Sequence, residues 1–210
     1  MPTDSPTGKA DDRRDMQQGE PRPPTLEEFK ALCRAELNWL VAEHGFREAE
    51  EDTSPFANPF KVQFVRDDLI VSVEGIHWGR AAMFSIHNRQ GRSIGVRALD
   101  PTFVPLAKTN RPPPPGQAAE IVYNARQLRT LGTRLLGGDF SAFEEAVARI
   151  DAAWAEHARH RRLSVAIQEA VAAFRLEQWP RVVELLEPHE AELSSKMARK
   201  LATARQKLAD

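Results

Sequence analysis

The apolar positions in the first half of this chain change their period once, and that change predicts its architecture. Leu26, Phe29, Cys33, Leu37, Leu40, Val41 and His44 recur at helical spacing, which predicts an amphipathic helix. Thr25 stands before it with Glu28 three residues on, the spacing of a capping box, and Gly45 suits a left-handed stop. Thr53-Ser54-Pro55 and Asn58-Pro59 then signal turns, and beyond them the period becomes two. Phe60, Val62 and Phe64 share one face, Leu69, Val71 and Val73 the next, and Ala82, Phe84 and Ile86 continue the series. The connections at Arg66-Asp67-Asp68 and between Gly75 and Gly79 are short, so neighbouring strands should run antiparallel. Ile94 and Val96 offer a fourth strand. The helix should cover one face of this sheet, leaving Lys61, Gln63, Ser72 and Glu74 on a more polar one.

The second half reads as helix throughout. Ile121, Ala125, Leu128, Leu131 and Leu135 define one helix that Gly137-Gly138 should end. Phe143, Val147, Ile150 and Trp154 define a second, with Ser141 and Glu144 at capping-box spacing, and Leu163, Ile167, Val171 and Phe174 a third. Val182, Val183, Leu185 and Leu186 make a shorter helix near Pro188, and Leu193, Met197, Leu201 and Leu208 a last one, with Ser194 as its N-cap. The fold class expected is therefore α+β: an N-terminal helix packed on an antiparallel meander of three to four strands, followed by an all-α region. Residues 1–24 read as a disordered tail, being charged and proline-bearing with Met16 their one large apolar residue after Met1. Residues 25–110 form the helix and sheet, and 111–116, with four consecutive prolines, a stiff spacer. Residues 117–161 form a helical hairpin packing on the sheet domain, and 162–210 the C-terminal helices.

Charge changes the picture locally. The formal net charge of −1 lacks the basic excess of a dedicated nucleic-acid binder. Residues 25–58, however, hold eight acidic against three basic residues, and residues 59–116 hold eight basic against four acidic. The acidic side is densest at Glu48, Glu50, Glu51 and Asp52, which is either a solvated loop or a field that steers a basic partner. The single cysteine, Cys33, excludes an intramolecular disulfide framework, and its place on the helical stripe marks it as a core residue. No apolar run has the form of a signal peptide or membrane span, so the chain reads as cytoplasmic, with no membrane partner.

Candidate chemistry is sparse. His157 and His160, with Glu156 beside them, have a spacing that could seat a metal, but no matching pair of ligands is apparent elsewhere and Arg159, Arg161 and Arg162 crowd them. Gly137-Gly138-Asp139 has neither a preceding strand nor a following Lys-Ser/Thr, so it is a helix break and not a phosphate loop. Ser194-Ser195 has no histidine placed to activate it. An enzyme would need His77, His87 and a carboxylate such as Glu74 to converge in one pocket. The expectation is a non-enzyme without metal or cofactor that binds protein. Trp39, off the main helical stripe near the acidic residues, and Trp78, in a glycine-flanked turn, are the aromatic anchors expected at a contact. Trp154 and Trp179 follow helical stripes and should lie in the core.

Two segments carry a resemblance. Trp39-Leu40-Val41-Ala42-Glu43-His44-Gly45-Phe46, with the acidic turn and alternating strands after it, resembles the start of small bacterial proteins predicted to be immunity factors for polymorphic toxins. Gly132 to Phe143, with Gly138-Asp139-Phe140 inside it, resembles the helix boundary late in such domains, so the likeness spans Leu26 to Trp154. Ala170 to Leu208 looks like one tetratricopeptide-type hairpin, with Ala170, Trp179 and Leu186 at the small, aromatic and large apolar positions. It departs from that pattern at Glu177, where a turn glycine is usual, and in having no second copy at a spacing of about 34 residues. The resemblance implies stoichiometric binding of a cognate toxin domain, with Trp39, Glu48, Glu50, Glu51, Asp52 and Trp78 as the contact residues. The competing expectation is a helical adaptor that binds a cellular partner, or a second copy of itself, through its C-terminal helices.

Overall fold

The computed structural model describes residues 24–76, 81–107 and 116–210. The expected tail up to residue 23, the turn holding His77 and Trp78, and residues 111–115 of the proline run lie outside the described residues. The chain divides into two compact units, one of residues 1–99 and 111–140, the other of residues 100–110 and 141–210. Residues 117–161, expected as one helical hairpin, are thus shared between the two units.

In the first unit, α1 spans Leu26–His44. Its capping box is present: Glu28 N donates to Thr25 Oγ1 at 3.2 Å, and Thr25 N donates to Glu28 Oε2 at 2.7 Å. Two of the helix's otherwise unpaired N-terminal donors are satisfied in this way. Gly45 ends the helix at φ +70°, a left-handed conformation in which any Cβ would be strained. Phe29, Cys33, Leu37 and Leu40 form its buried stripe, as the spacing predicts.

The chain then runs through β1 (Arg47–Glu48), β2 (Lys61–Arg66), β3 (Leu69–Ile76), β4 (Ala81–Asn88) and β5 (Ser93–Ile94). They form one antiparallel sheet in the order β1-β2-β3-β4-β5. The fold is α+β as expected, and the short edge strand β1 is the element that alternation did not reveal. Val62 faces Val73, Phe64 faces Val71, Val73 faces Phe84 and Val71 faces Ile86, so these apolar residues line one face. Lys61, Gln63, Glu74 and Ser85 fall on the other. Asp67, at φ +47°, makes the two-residue turn between β2 and β3. Val96, expected to extend a strand, instead opens a 3-10 turn at Val96–Leu99.

Two helices follow in this unit, α2 (Gln117–Leu131) and α3 (Thr133–Leu136). α2 docks beside β4, where the Glu120 carboxylate accepts a hydrogen bond from Ala82 N and Gln117 Nε2 donates to Ala81 O at 3.4 Å. At Gly75 an added Cβ would lie 2.7 Å from Gln117 Nε2 and 2.8 Å from Phe60 Cβ, so only glycine fits this approach. Arg66, at the end of β2, donates from Nη1 to His44 O at 2.9 Å and to Leu136 O at 2.7 Å. Those carbonyls belong to the last residues of α1 and α3.

The second unit departs from the sequence reading. Its α4 spans Ser141–Arg175 as one continuous helix, where two helices were expected between Phe143 and Phe174. The apolar stripe lapses around Glu156 to Arg162, but five of those seven residues are Ala, Glu or Arg, good helix formers, none is Gly or Pro, and Glu156 pairs with Arg159 at 2.8 Å and His160 at 2.7 Å. Lapse of the stripe removes a packing face, not the helix. Consequently Trp154, expected in the core, is 54% exposed. α5 (Trp179–Leu186) and α6 (Ser195–Ala209) fold back on the C-terminal part of α4. Ala170, Ala173, Val182, Leu186, Leu201 and Ala204 form their common core, and Trp179 packs edge-on against Phe174 at 5.2 Å. Ser194 caps α6 by accepting from Met197 N. Glu177, where the hairpin pattern carries glycine, does adopt the left-handed conformation, at φ +55°. Among the described residues no helix is long and apolar enough to cross a membrane.

Two stability measurements check this account. Arg66→Met should lower the unfolding free energy by about 2–4 kcal/mol in urea titration, because two helix-terminal carbonyls lose a charged donor. Glu177→Gly should raise it by up to about 1 kcal/mol, since glycine relieves the left-handed strain but adds chain entropy to the unfolded state.

Candidate functional site

The acidic residues singled out in the sequence line a cleft. After β1, Ala49 N donates to Gln63 O at 2.8 Å, so the chain leaves the sheet only at Glu50. It returns at Phe60, having turned at Asp52, whose Oδ1 accepts from Ser54 N at 2.9 Å, and at Asn58, whose Oδ1 accepts from Phe60 N at 3.0 Å. The loop and the sheet edge enclose about 260 Å³, lined by Glu48, Glu50, Glu51, Asp52 and Glu74 against Lys30 and Lys61. Phe56, 98% exposed, lines the same cleft from the loop.

Most of these charges are compensated from within. Arg34 holds Glu48 through Nε to both carboxylate oxygens at 3.0 Å and through Nη2 at 2.8 Å. That bond, together with nearby carboxylates, raises the Arg34 pKa. Lys30 is only 7% exposed, yet its Nζ reaches Glu51 Oε1 at 2.7 Å. The hydrogen bond and charge of Lys30 hold Glu51 below the usual carboxylate range. Asp52 is likewise held low, first by the Ser54 amide. Lys61 meets Glu74 at 3.1 Å. Glu50 has no hydrogen-bond or ion-pair partner among the described residues. Among the carboxylates lining the cleft, Glu50 is therefore the one left without such a partner, and the exposed ring of Phe56 lines the same space.

The cleft unites Glu48, Glu50, Glu51 and Asp52 but not Trp39. That residue is 9% exposed, donates from Nε1 to Glu36 O at 2.9 Å, lies edge-on to His44 at 5.6 Å and is covered by the Arg129 guanidinium at 5.3 Å. Packing between α1 and α2 accounts for its place off the main stripe, and little of its surface is open to a partner. Trp78 lies outside the described residues. Sequence reasoning missed Phe56, Lys30 and Lys61. A large aromatic between two turn signals, outside both the α1 stripe and the strand alternation that begins at Phe60, was the available sign of Phe56.

Other candidates are dispersed. His87 lies on the polar sheet face with Nε2 2.7 Å from Ser85 Oγ, and burial, then Lys61, depresses its pKa. It shares that face with Glu74 but does not line the cleft, and His77 is outside the described residues. His160 pairs with Glu156, while His157 lies edge-on to Trp154 at 6.0 Å. Among the described residues no group of three or more His, Cys, Asp or Glu side chains is placed to hold a metal ion. Comparison with protein-family models, with curated proteins and with solved structures finds no match to this chain.

Cys33 is fully buried, and burial pushes its thiol up to about 12, which keeps it protonated and unreactive. Native protein at about pH 8 should resist iodoacetamide, with labelling by mass spectrometry appearing only on unfolding. Ready alkylation of the native chain would mean that α1 opens locally.

Proposed function

We propose that this chain is a non-catalytic immunity factor that acts in the bacterial cytoplasm and neutralises a cognate toxin by stoichiometric binding. The observation that carries the reading is Phe56, almost fully presented to solvent and lining the same carboxylate-rich cleft as the unpartnered Glu50. An exposed aromatic next to an uncompensated negative charge suits a protein surface that offers an apolar pocket and a Lys or Arg side chain. The internal ion pairs support the same reading. With Glu48 and Glu51 already bound to Arg34 and Lys30, the loop is held in shape before a partner arrives, which reduces the ordering cost of binding. The resemblance of the helix and following strands to predicted immunity factors supplies the partner class.

Binding of this kind makes Glu50 and Phe56 the contact residues, with Glu48, Glu51 and Asp52 shaping the loop from behind. Charge reversal at Glu51 or Asp52 would disturb the loop itself, so Glu50 is the cleaner probe.

The test is co-expression of this chain with the C-terminal domain encoded by its neighbouring gene, scored by growth and by co-purification. The expected result is toxicity of the domain alone, and rescue with a stable complex. Glu50→Lys should slow association and flatten its dependence on salt, and Phe56→Ala should weaken the complex about tenfold or more. A toxic neighbour that this chain neither binds nor silences, or a neighbour without toxicity, would overturn the reading.

A further inference from the structure

A second surface, independent of the sheet cleft, lies in the second unit. Where α4 passes beside the end of α5, Ala158, Val165 and Ala166 with Leu185 form the floor of an open groove of about 400 Å³. Val165 is 47% exposed there, and Ala158 and Ala166 leave the trough that larger side chains would fill. Arg161 and Arg162 stand at the same groove. Neighbouring charges are paired: Arg159 with Glu156 at 2.8 Å, and Glu169 with Arg181 at 3.2 Å. Arg161 and Arg162 have no hydrogen-bond or ion-pair partner among the described residues. Trp154, 54% exposed, stands four residues before Ala158, one turn along the same helix face.

We propose that this groove receives an amphipathic helix of another protein, which sets apolar side chains on Val165, Ala166 and Leu185 and a carboxylate against Arg161 and Arg162. Charge decides the occupant. A second copy of this chain, laid antiparallel across the same stripe about a two-fold axis, would bring Arg161 and Arg162 against their own symmetry mates. Four guanidiniums at one axis would oppose that pairing. A nucleic-acid backbone would find only two free cations in a largely apolar trough that also carries Glu169, too few for the phosphate neutralisation on which such binding rests. An acidic helix with apolar residues at three- and four-residue spacing answers both the trough and the charges. The pattern of α4 agrees: its buried residues are Phe143, Ala146 and Val147 and then Ala166, Ala170 and Ala173, while none of those between Val147 and Ala166 is buried among the described residues.

The test is selection from a displayed library of helix-forming peptides of about 15 residues against the full chain, with the Arg161→Glu/Arg162→Glu chain as counter-target. Both substitutions are at exposed positions, and circular dichroism checks that helix content is unchanged. The expected outcome is enrichment of peptides carrying Glu or Asp beside Leu, Met or Phe at helical spacing. Their affinity should fall about tenfold or more on the doubly substituted chain and recover when the peptide carboxylates are exchanged for lysines. Trp154 fluorescence should change on binding to the unsubstituted chain. Enrichment of basic or neutral peptides, or affinity indifferent to the arginine reversal, would overturn the proposal. So would concentration-dependent dimerisation in sedimentation that Val165→Asp abolishes, which would give the groove to a second copy.

Discussion

The first unit depends on how its helix ends are satisfied, and Arg66 satisfies two of them. A helix leaves its last carbonyls without internal partners, and those ends carry partial negative charge. Arg66 Nη1 reaches the terminal carbonyl of α1 and that of α3, and its guanidinium lies 4.8 Å over the ring of Phe46. One strand residue thereby fixes where α1 stops, where the chain turns into β1 and where α3 rests. Because Phe46 is buried beneath it, the turn at Gly45 can lead only into the sheet edge. β2 is short, about 17 Å from end to end, so anchoring it at Arg66 also places Lys61 at its other end. The cleft is built around that second end, and its position follows from an interaction that no cleft residue makes.

Within the cleft, the pairing pattern separates charge that holds shape from charge that is free to act. Exposed ion pairs each contribute little to stability, commonly below about 1 kcal/mol. The bonds from Arg34 and Lys30 therefore matter chiefly for geometry. They draw Glu48 and Glu51 back toward α1, and the amide of Ser54 holds Asp52 in its turn. Glu50 is left without such a partner, and Phe56 lines the same space. A count of acidic residues in the sequence overstates the field that a partner would meet.

The parts legible in the sequence were those governed by local rules. The capping box at Thr25, the left-handed Gly45, the alternation of Val62, Phe64, Val71 and Val73, and the N-cap at Ser194 each depend on a few adjacent residues. Glu177 also belongs here: a glycine position named by the hairpin pattern is a left-handed position in the fold, although the residue is not glycine. β1 was not legible, because two residues cannot display a period and its pairing with Val65 and Phe64 is set by the return of β2. Trp39 looked available because it lies off the α1 stripe, but α2 supplies a second packing surface that α1 alone could not announce. Trp154 failed in the opposite sense. Its spacing continued a stripe, while no described residue of the unit buries that stretch of α4. Periodicity reports which residues share a face, and burial requires a partner for that face.

A net charge of −1 conceals surfaces of opposite character in the two units. In the first, five carboxylates outnumber two ammonium groups in the cleft, and Glu50 remains unpaired. In the second, Arg161 and Arg162 remain after Glu156, Glu169 and Glu192 have taken Arg159 and Arg181. Glu50 shares its cleft with the exposed Phe56, and Arg161 and Arg162 lie two turns along α4 from the exposed Trp154. Both are combinations in which an apolar anchor gives affinity and the charge selects the partner. Overall charge therefore speaks against a dedicated nucleic-acid binder but does not distinguish among protein partners. The informative quantity is the charge left over once internal pairs are removed, read beside the apolar surface that the fold leaves uncovered.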